Sequence, residues 1–379
     1  MKVKISVLIL LFINFIFTYK YSSRYTEFGG ILSILLLFSQ ILVYVYSSKI
    51  TLVYKAKNII ILCFVSFIIA LIIISHYKIP LESLNVDRWS VISSFIDELF
   101  NGNYPYYAQS HKGNYPGPMP FYFFISLPFY LIGELSILSS IGYFIAIILI
   151  VKKTKSNNHF KFLFFYLFTS LFLIWEITTR SNIFTFTILI LLLLNGFLNF
   201  DNKNKSKKNL ILALFTGFLL STRGIYILSY IVFFLSSLKN NEVSIKKLSL
   251  FTSIALIAFL STFLPFIIFF RSDFFTMNPF IIQSSFLIPK PYILVFILTS
   301  VLMVFLVKNR SDKFFYSGIS LFFSIMTYSI YHIIKYGYNL SFLQSKIDIS
   351  YFIFCIPFFI MYLIKYDDKK NPEVLNSLG

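Results

Sequence analysis

The sequence predicts an all-α protein, a polytopic bundle of about twelve membrane helices with one amphipathic helix on its outer face. Of 379 residues, 58% are hydrophobic and 13% are charged, against roughly a quarter charged in soluble domains. Apolar runs long enough for about 30 Å of hydrocarbon recur from end to end. Between them Lys and Arg fall in clusters: Lys2 and Lys4; Lys49, Lys55 and Lys57; Lys152, Lys153, Lys155 and Lys161; Lys203, Lys205, Lys207 and Lys208; Lys239, Lys246 and Lys247; Lys308, Arg310 and Lys313; Lys365, Lys369 and Lys370. These seven hold 22 of the 33 basic residues, the asymmetry of the positive-inside rule. The net charge of +18 therefore encodes topology and not a nucleic-acid partner. Cys63 and Cys355 both lie in apolar runs and read as buried free thiols, with no disulfide framework or metal site.

With the basic clusters inside, helices are expected at about 3–19, 30–48 and 58–77, leaving a loop at 78–118 outside. The first follows Lys2 and Lys4 but lacks a small-residue cleavage site before Tyr19, so it reads as uncleaved. The run 119–133, interrupted by Pro128, reads as a re-entrant or interfacial helix. If it crossed, the span at 135–151 would deliver Lys152 and Lys153 to the wrong side. Helices at 162–177 and 183–200 are joined by Thr178-Thr179-Arg180-Ser181-Asn182. Next, 210–220 and 225–238 form a hairpin around Ser221-Thr222-Arg223-Gly224. Eleven residues of helix span only about 16 Å, so this hairpin carries Arg223 into the membrane from the inner side. The last helices fall at 248–270, 292–307, 314–334 and 349–364, with outer loops at 271–291 and 335–348 and both termini cytoplasmic. The whole chain reads as one integral membrane domain. Two leading helices (1–57) precede a core (58–240), the C-terminal helices (241–364) and a tail (365–379), and no internal repeat is evident.

The outer loop is the polar island of the chain. From Asp87 to Phe100 the apolar residues Trp89, Ile92, Phe95, Ile96, Leu99 and Phe100 recur at helical spacing, with Asp87, Ser94 and Glu98 on another face. An amphipathic helix on the outer leaflet fits this pattern. Asp87 at its start is either a simple N-cap, which Asp favours, or a catalytic carboxylate beside the mouth of a membrane helix. Asp87 and Glu98 would lie about 16 Å apart on one helix, too far for a glycosidase-like pair. A single general base acting on a hydroxyl is the more natural chemistry. Asp97 and Glu98 read as solvated or structural, and His111, without a second ligand at metal spacing, reads as a loop residue.

Two charges at membrane depth carry weight because they are expensive there. Glu176 and Arg180 are four apart, which allows an i,i+4 ion pair, and Arg180 also faces the space beneath the loop. Arg223 has no partner close in sequence and must find a carboxylate, a carbonyl or a phosphate.

Val86-Asp87-Arg88-Trp89 in the outer loop, Gly102-Asn103-Tyr104-Pro105-Tyr106 after it, Tyr115-Pro116-Gly117-Pro118 leading through Leu131-Ile132-Gly133, and Arg180-Ser181-Asn182 between two core helices form an ordered series. Over roughly 58–240 it resembles the GT-C superfamily of polyprenyl-phosphate-sugar-dependent membrane glycosyltransferases, in particular the bacterial mannosyltransferase-like branch. Two helices precede the usual first core helix, and the family's common Asp-Asp or Asp-Glu loop pair is absent.

The resemblance implies transfer, with inversion, from a polyprenyl-phosphate sugar to a lipid or glycan hydroxyl. The place is the outer face of the bacterial cytoplasmic membrane, in envelope polysaccharide or glycolipid synthesis, with no cofactor indicated. Asp87 would be the base, Arg180 and Arg223 would hold the donor phosphate, and Arg88, Tyr104, Tyr106, Asn114, Tyr115 and Asn182 would line the substrate loop. A lipid-linked oligosaccharide flippase or transporter, or an O-antigen polymerase or ligase, is the alternative. Glu134, Glu176, Asp273 and Asp348 all sit at expected outer helix ends, which favours outer-face chemistry over transport. Asp273, Asn278-Pro279, Lys346 and Asp348 are expected at the rim of the same cavity.

Overall fold

The computed structural model describes residues 1–47, 49, 54–153, 157–198, 206–286, 288–344 and 346–370. Lys155, Lys203 and Lys205 of the basic clusters, and the tail from residue 371, lie outside them. Among the described residues all regular structure is helical.

Helices α1 (Lys2–Ser22), α2 (Gly29–Tyr46) and α3 (Tyr54–Lys78) follow the first three expected segments. Gly29 permits the tight α1–α2 turn, since a Cβ there would meet the Ser23 backbone at 2.4 Å. The amphipathic helix is α4 (Arg88–Phe100), with Ile92, Phe95 and Ile96 buried and Asp97 and Phe100 exposed. Next, α5 (Pro120–Ile132) starts on a proline, where the missing N–H costs nothing, and stops at Gly133 in the left-handed conformation (φ 87°). It meets α6 (Ser136–Lys153) at a 113° bend, the geometry of a broken span or of a re-entrant loop.

The helix expected at 162–177 is broken into α7 (Asn157–Phe168) and α8 (Leu171–Thr179), bent by 45°. The cause lies in the neighbouring helices. Asn14 Oδ1 of α1 accepts from the Leu171 amide at 3.2 Å, and Gln40 of α2 donates to Thr169 Oγ1 at 2.8 Å. Side chains entering a helical ladder satisfy the groups that a break frees. The chain continues through α9 (Ile183–Phe197), α10 (Ser206–Leu220), α11 (Ile227–Lys239) and α12 (Ile245–Ser261). The expected helix 248–270 ends early at Ser261, and Pro265 begins the separate α13 (Leu264–Phe269). The stretch expected as a loop at 271–291 contains α14 (Arg271–Thr276) and α15 (Pro279–Phe286). After α16 (Pro291–Leu306) and α17 (Arg310–Tyr336), a 3-10 segment at Ile349–Cys355 runs into α18 (Ile356–Lys370).

Among the described residues five helices are long and apolar enough to cross a membrane, or seven if each bent pair is one span. That is fewer than the dozen expected. The apolar runs at Ile183–Phe197, Gly224–Lys239 and Pro291–Leu306 form shorter apolar helices.

The bundle has two distinct poles. At one, Lys2 pairs with Asp312 at 2.7 Å and Lys313 with Glu242 at 2.6 Å. Lys239 donates to the Val304, Phe305 and Val307 carbonyls that end α16. Lys365 lies over the Phe314 ring, the His159 ring meets Tyr366, and Lys161 donates to the Ser47 carbonyl at 2.6 Å. These contacts gather Lys2, Lys161, Lys239, Lys313 and Lys365 at one end of the bundle. At the opposite pole Lys20 donates to the Ile347 carbonyl, Arg24 to that of Leu343, and Tyr104 to that of Met277. The polar loop 78–118 lies there.

Candidate functional site

Asp87 stands at the N-cap position of α4, but its side chain makes no capping bond. Its Oδ2 instead accepts from Ser110 Oγ at 2.8 Å and from Asn114 Nδ2 at 2.7 Å. Of the two roles open to Asp87, the cap is therefore not the one its carboxylate adopts. The loop that holds it is closed by Ser110 N to Asn114 O at 2.9 Å and turns on Gly113 at φ 74°. His111 anchors this loop to α4. Its Nε2 donates to the Leu84 carbonyl (3.1 Å), which fixes Nδ1 as the acceptor for Ser90 Oγ (2.6 Å), and its ring stacks on Trp89 at 5.4 Å.

One residue on, Arg88 forms an ion pair with Asp348 and donates to Ser350 Oγ at 3.1 Å. The two chain segments are 260 residues apart in sequence. Burial would raise the Asp348 carboxyl, but Arg88 and the Ser350 hydrogen bonds outweigh it and hold the group below the usual carboxylate range. The Arg88 guanidinium also lies 5.6 Å from the Tyr351 ring.

Arg223 reaches the same region from below. Its hairpin tip is clamped by the start of α5, with Met119 N donating to Thr222 O (3.1 Å) and Phe121 N to Ser221 O (3.0 Å). The guanidinium lies 5.6 Å from the Tyr122 ring and 5.9 Å from that of Phe354, and Nε is buried without a hydrogen-bond partner. Phe354 stacks with Tyr351 at 6.0 Å. The two arginines thus stand on neighbouring rings of one aromatic floor. Arg88 has its carboxylate, whereas Arg223 forms no ion pair among the described residues.

Arg180 is differently placed. Its expected partner, Glu176, is taken by Tyr143, Ser181 and the Ile183 and Phe184 amides at the start of α9. Arg180 pairs with Glu134 at 3.2 Å and also donates to the Thr178 and Ser75 carbonyls. The guanidinium, 3% exposed, is engaged by Glu134 and two backbone carbonyls.

The remaining loop residues divide. Arg88 and Asn114 stand at Asp87. Tyr106 is fully buried among Phe95, Phe123 and Phe266, Tyr104 is buried with its hydroxyl on the Met277 carbonyl, and Tyr115 packs half-buried against the core. Asn182 accepts from Ser139 and reaches the Tyr122 hydroxyl at 3.5 Å, behind the site. Asp97 accepts from Tyr130, and Glu98 accepts from Asn103 at 2.7 Å, both at the surface as expected. Of the rim candidates, Asp348 is the direct partner of Arg88, whereas Asn278 caps α15 through the Phe280 and Ile281 amides and Lys346 lies over Tyr336. The sequence reading missed Ser110, Tyr122, Tyr351 and Phe354. The available sign was Asp348-Ile349-Ser350, an Asx-type start beside the last helix in a chain with only 15 acidic residues.

Among the described residues no three or more His, Cys, Asp or Glu side chains converge as metal ligands would. No family model, curated protein or solved structure matches this chain.

Proposed function

We propose that this chain is a membrane glycosyltransferase that moves a sugar from a polyprenyl-phosphate donor to a hydroxyl acceptor. The observation that carries this reading is a loop-held carboxylate, freed from helix capping, in the same region as a half-buried arginine, Arg223, that forms no ion pair among the described residues. Asp87 takes the proton of the acceptor hydroxyl, leaving Oδ2 bound to Ser110 and Asn114 and Oδ1 for the proton. The hydroxyl oxygen attacks the anomeric carbon, and the bond from that carbon to the phosphate oxygen breaks with inversion. The lipid phosphate leaves with the electron pair, and Arg223 meets its charge through charge-assisted hydrogen bonds. Arg88, neutralised by Asp348, ties α4 to the segment before α18 and fixes the direction of Asp87.

In this reading the lysine-rich pole is cytoplasmic and the site lies at the outer face, which supports envelope polysaccharide or glycolipid synthesis. A cysteine at position 112 is expected to react with a membrane-impermeant thiol reagent on intact cells, and one at 208 only after permeabilisation. Labelling of 208 but not 112 would reverse the topology.

Arg223→Gln tests the donor role. Losing a charged partner for the phosphate removes roughly 1.5–3 kcal/mol. The expected result is a KM for the lipid-phosphate sugar raised about ten- to a hundredfold, with the acceptor KM unchanged. An unchanged donor KM would take Arg223 out of the site.

A further inference from the structure

A cleft of about 560 Å³ opens between α10, α11 and α12, away from Asp87. It exists because α12 is drawn onto α10: at Gly217 a Cβ would meet the Ala255 carbonyl at 1.9 Å, so the two backbones touch. With α12 held there, its other side stands off α11. The lining changes character along its length. Toward the hairpin tip it is Leu220, Ile227, Leu256 and Phe259. Ser249, Thr252 and Ser253 enter part-way, and at the lysine-rich pole Leu238, Ile245 and Leu248 complete the lining.

Lys246 precedes Ser249 by three residues and Ser253 by seven, so it stands beside the face of α12 that lines the cleft, at its edge and outside the lining. It is exposed, as are Lys207 and Lys208 in the first turn of α10, and Lys247 follows it. A mostly apolar trough with three hydroxyls part-way thus has exposed lysines beside one mouth.

We infer that this cleft binds an anionic phospholipid from the leaflet at the lysine-rich pole. One acyl chain lies along Leu256, Phe259 and Ile227, the ester region meets Ser249 and Ser253, and the phosphate meets Lys246 and Lys208. An apolar trough with exposed lysines beside one mouth matches the tail and head of an anionic phospholipid entering from that pole. A polyprenyl phosphate held for transfer would present its phosphate at the other end, beside Arg223. The site is thus separate from the catalytic reading and independent of it.

The test is native mass spectrometry of the full-length chain released from nanodiscs of equal phosphatidylglycerol and phosphatidylcholine. Phosphatidylglycerol is expected to be retained in preference. Lys246→Gln/Lys247→Gln is expected to weaken retention about tenfold or more, from the attraction of each lysine to an anionic lipid surface. Ser253→Trp, which fills the cleft and keeps the lysines, is expected to abolish it. Should the double variant not fold, Lys246→Gln alone, at an exposed position, is expected to lose retention several-fold. Equal retention of the two lipids, or retention unchanged in the variants, would overturn the assignment.

Discussion

Asp87→Asn is expected to lower transfer by about two to four orders of magnitude, the usual loss on removing a general base, with the fold intact. Asparagine keeps the size of the side chain, and its amide oxygen can accept from Ser110 and Asn114 as Oδ2 does now. Because Asp87 makes no capping bond to α4, the stability change should stay below the roughly 1 kcal/mol of a lost cap. Asp97→Asn is the control: that carboxylate is exposed and bound to Tyr130, and transfer should remain within a few-fold of wild type. Initial rates in proteoliposomes with a lipid-phosphate sugar measure both. Equal activity of the two variants would leave Asp87 as a loop anchor.

Glu134→Ala is expected to be the most destabilising single change around the site, by about 3–5 kcal/mol, the range for removing one partner of a buried ion pair. Arg180 would stay charged, 3% exposed, with the Thr178 and Ser75 carbonyls as its remaining partners among the described residues. His76 and the Ser136 amide would lose their acceptor as well, so the α5–α6 bend and the end of α3 would loosen together. Glu98→Ala, which removes one surface hydrogen bond to Asn103, should change stability by no more than about 0.5 kcal/mol. Thermal unfolding in detergent compares them. Matching midpoints would show that Glu134 does not hold Arg180.

The boundaries of α4 were legible because its apolar stripe has helical period and its flanks are polar, and the break between α5 and α6 because Gly133 stops the first helix. The break at Thr169–Ser170 was not legible. Its cause, Asn14 and Gln40, lies more than a hundred residues away in sequence. Arg180 shows the same limit. Glu176 at i−4 is the local partner that spacing offers, but the α9 amide groups at Ile183 and Phe184 claim Glu176, and the chain turn at Gly133 delivers Glu134 instead. Asp87 could be singled out from its setting, while its partners Ser110 and Asn114 depended on how a turn closes through Gly113. Tyr104 and Tyr106 looked like substrate-loop rings and proved to be packed, because Pro105 and the aromatic cluster around Phe266 draw them inward.

The most direct measurement is the fate of the donor's sugar–phosphate bond. Purified chain in proteoliposomes, given a polyprenyl-phosphate hexose and a hydroxyl acceptor, should release free polyprenyl phosphate and yield an acceptor heavier by one hexose with the anomeric configuration inverted. Asp87→Asn should release almost none. Movement of the intact lipid-linked sugar across the bilayer with its bond unbroken, in wild type and variant alike, would contradict a transferase and mark the chain as a transporter.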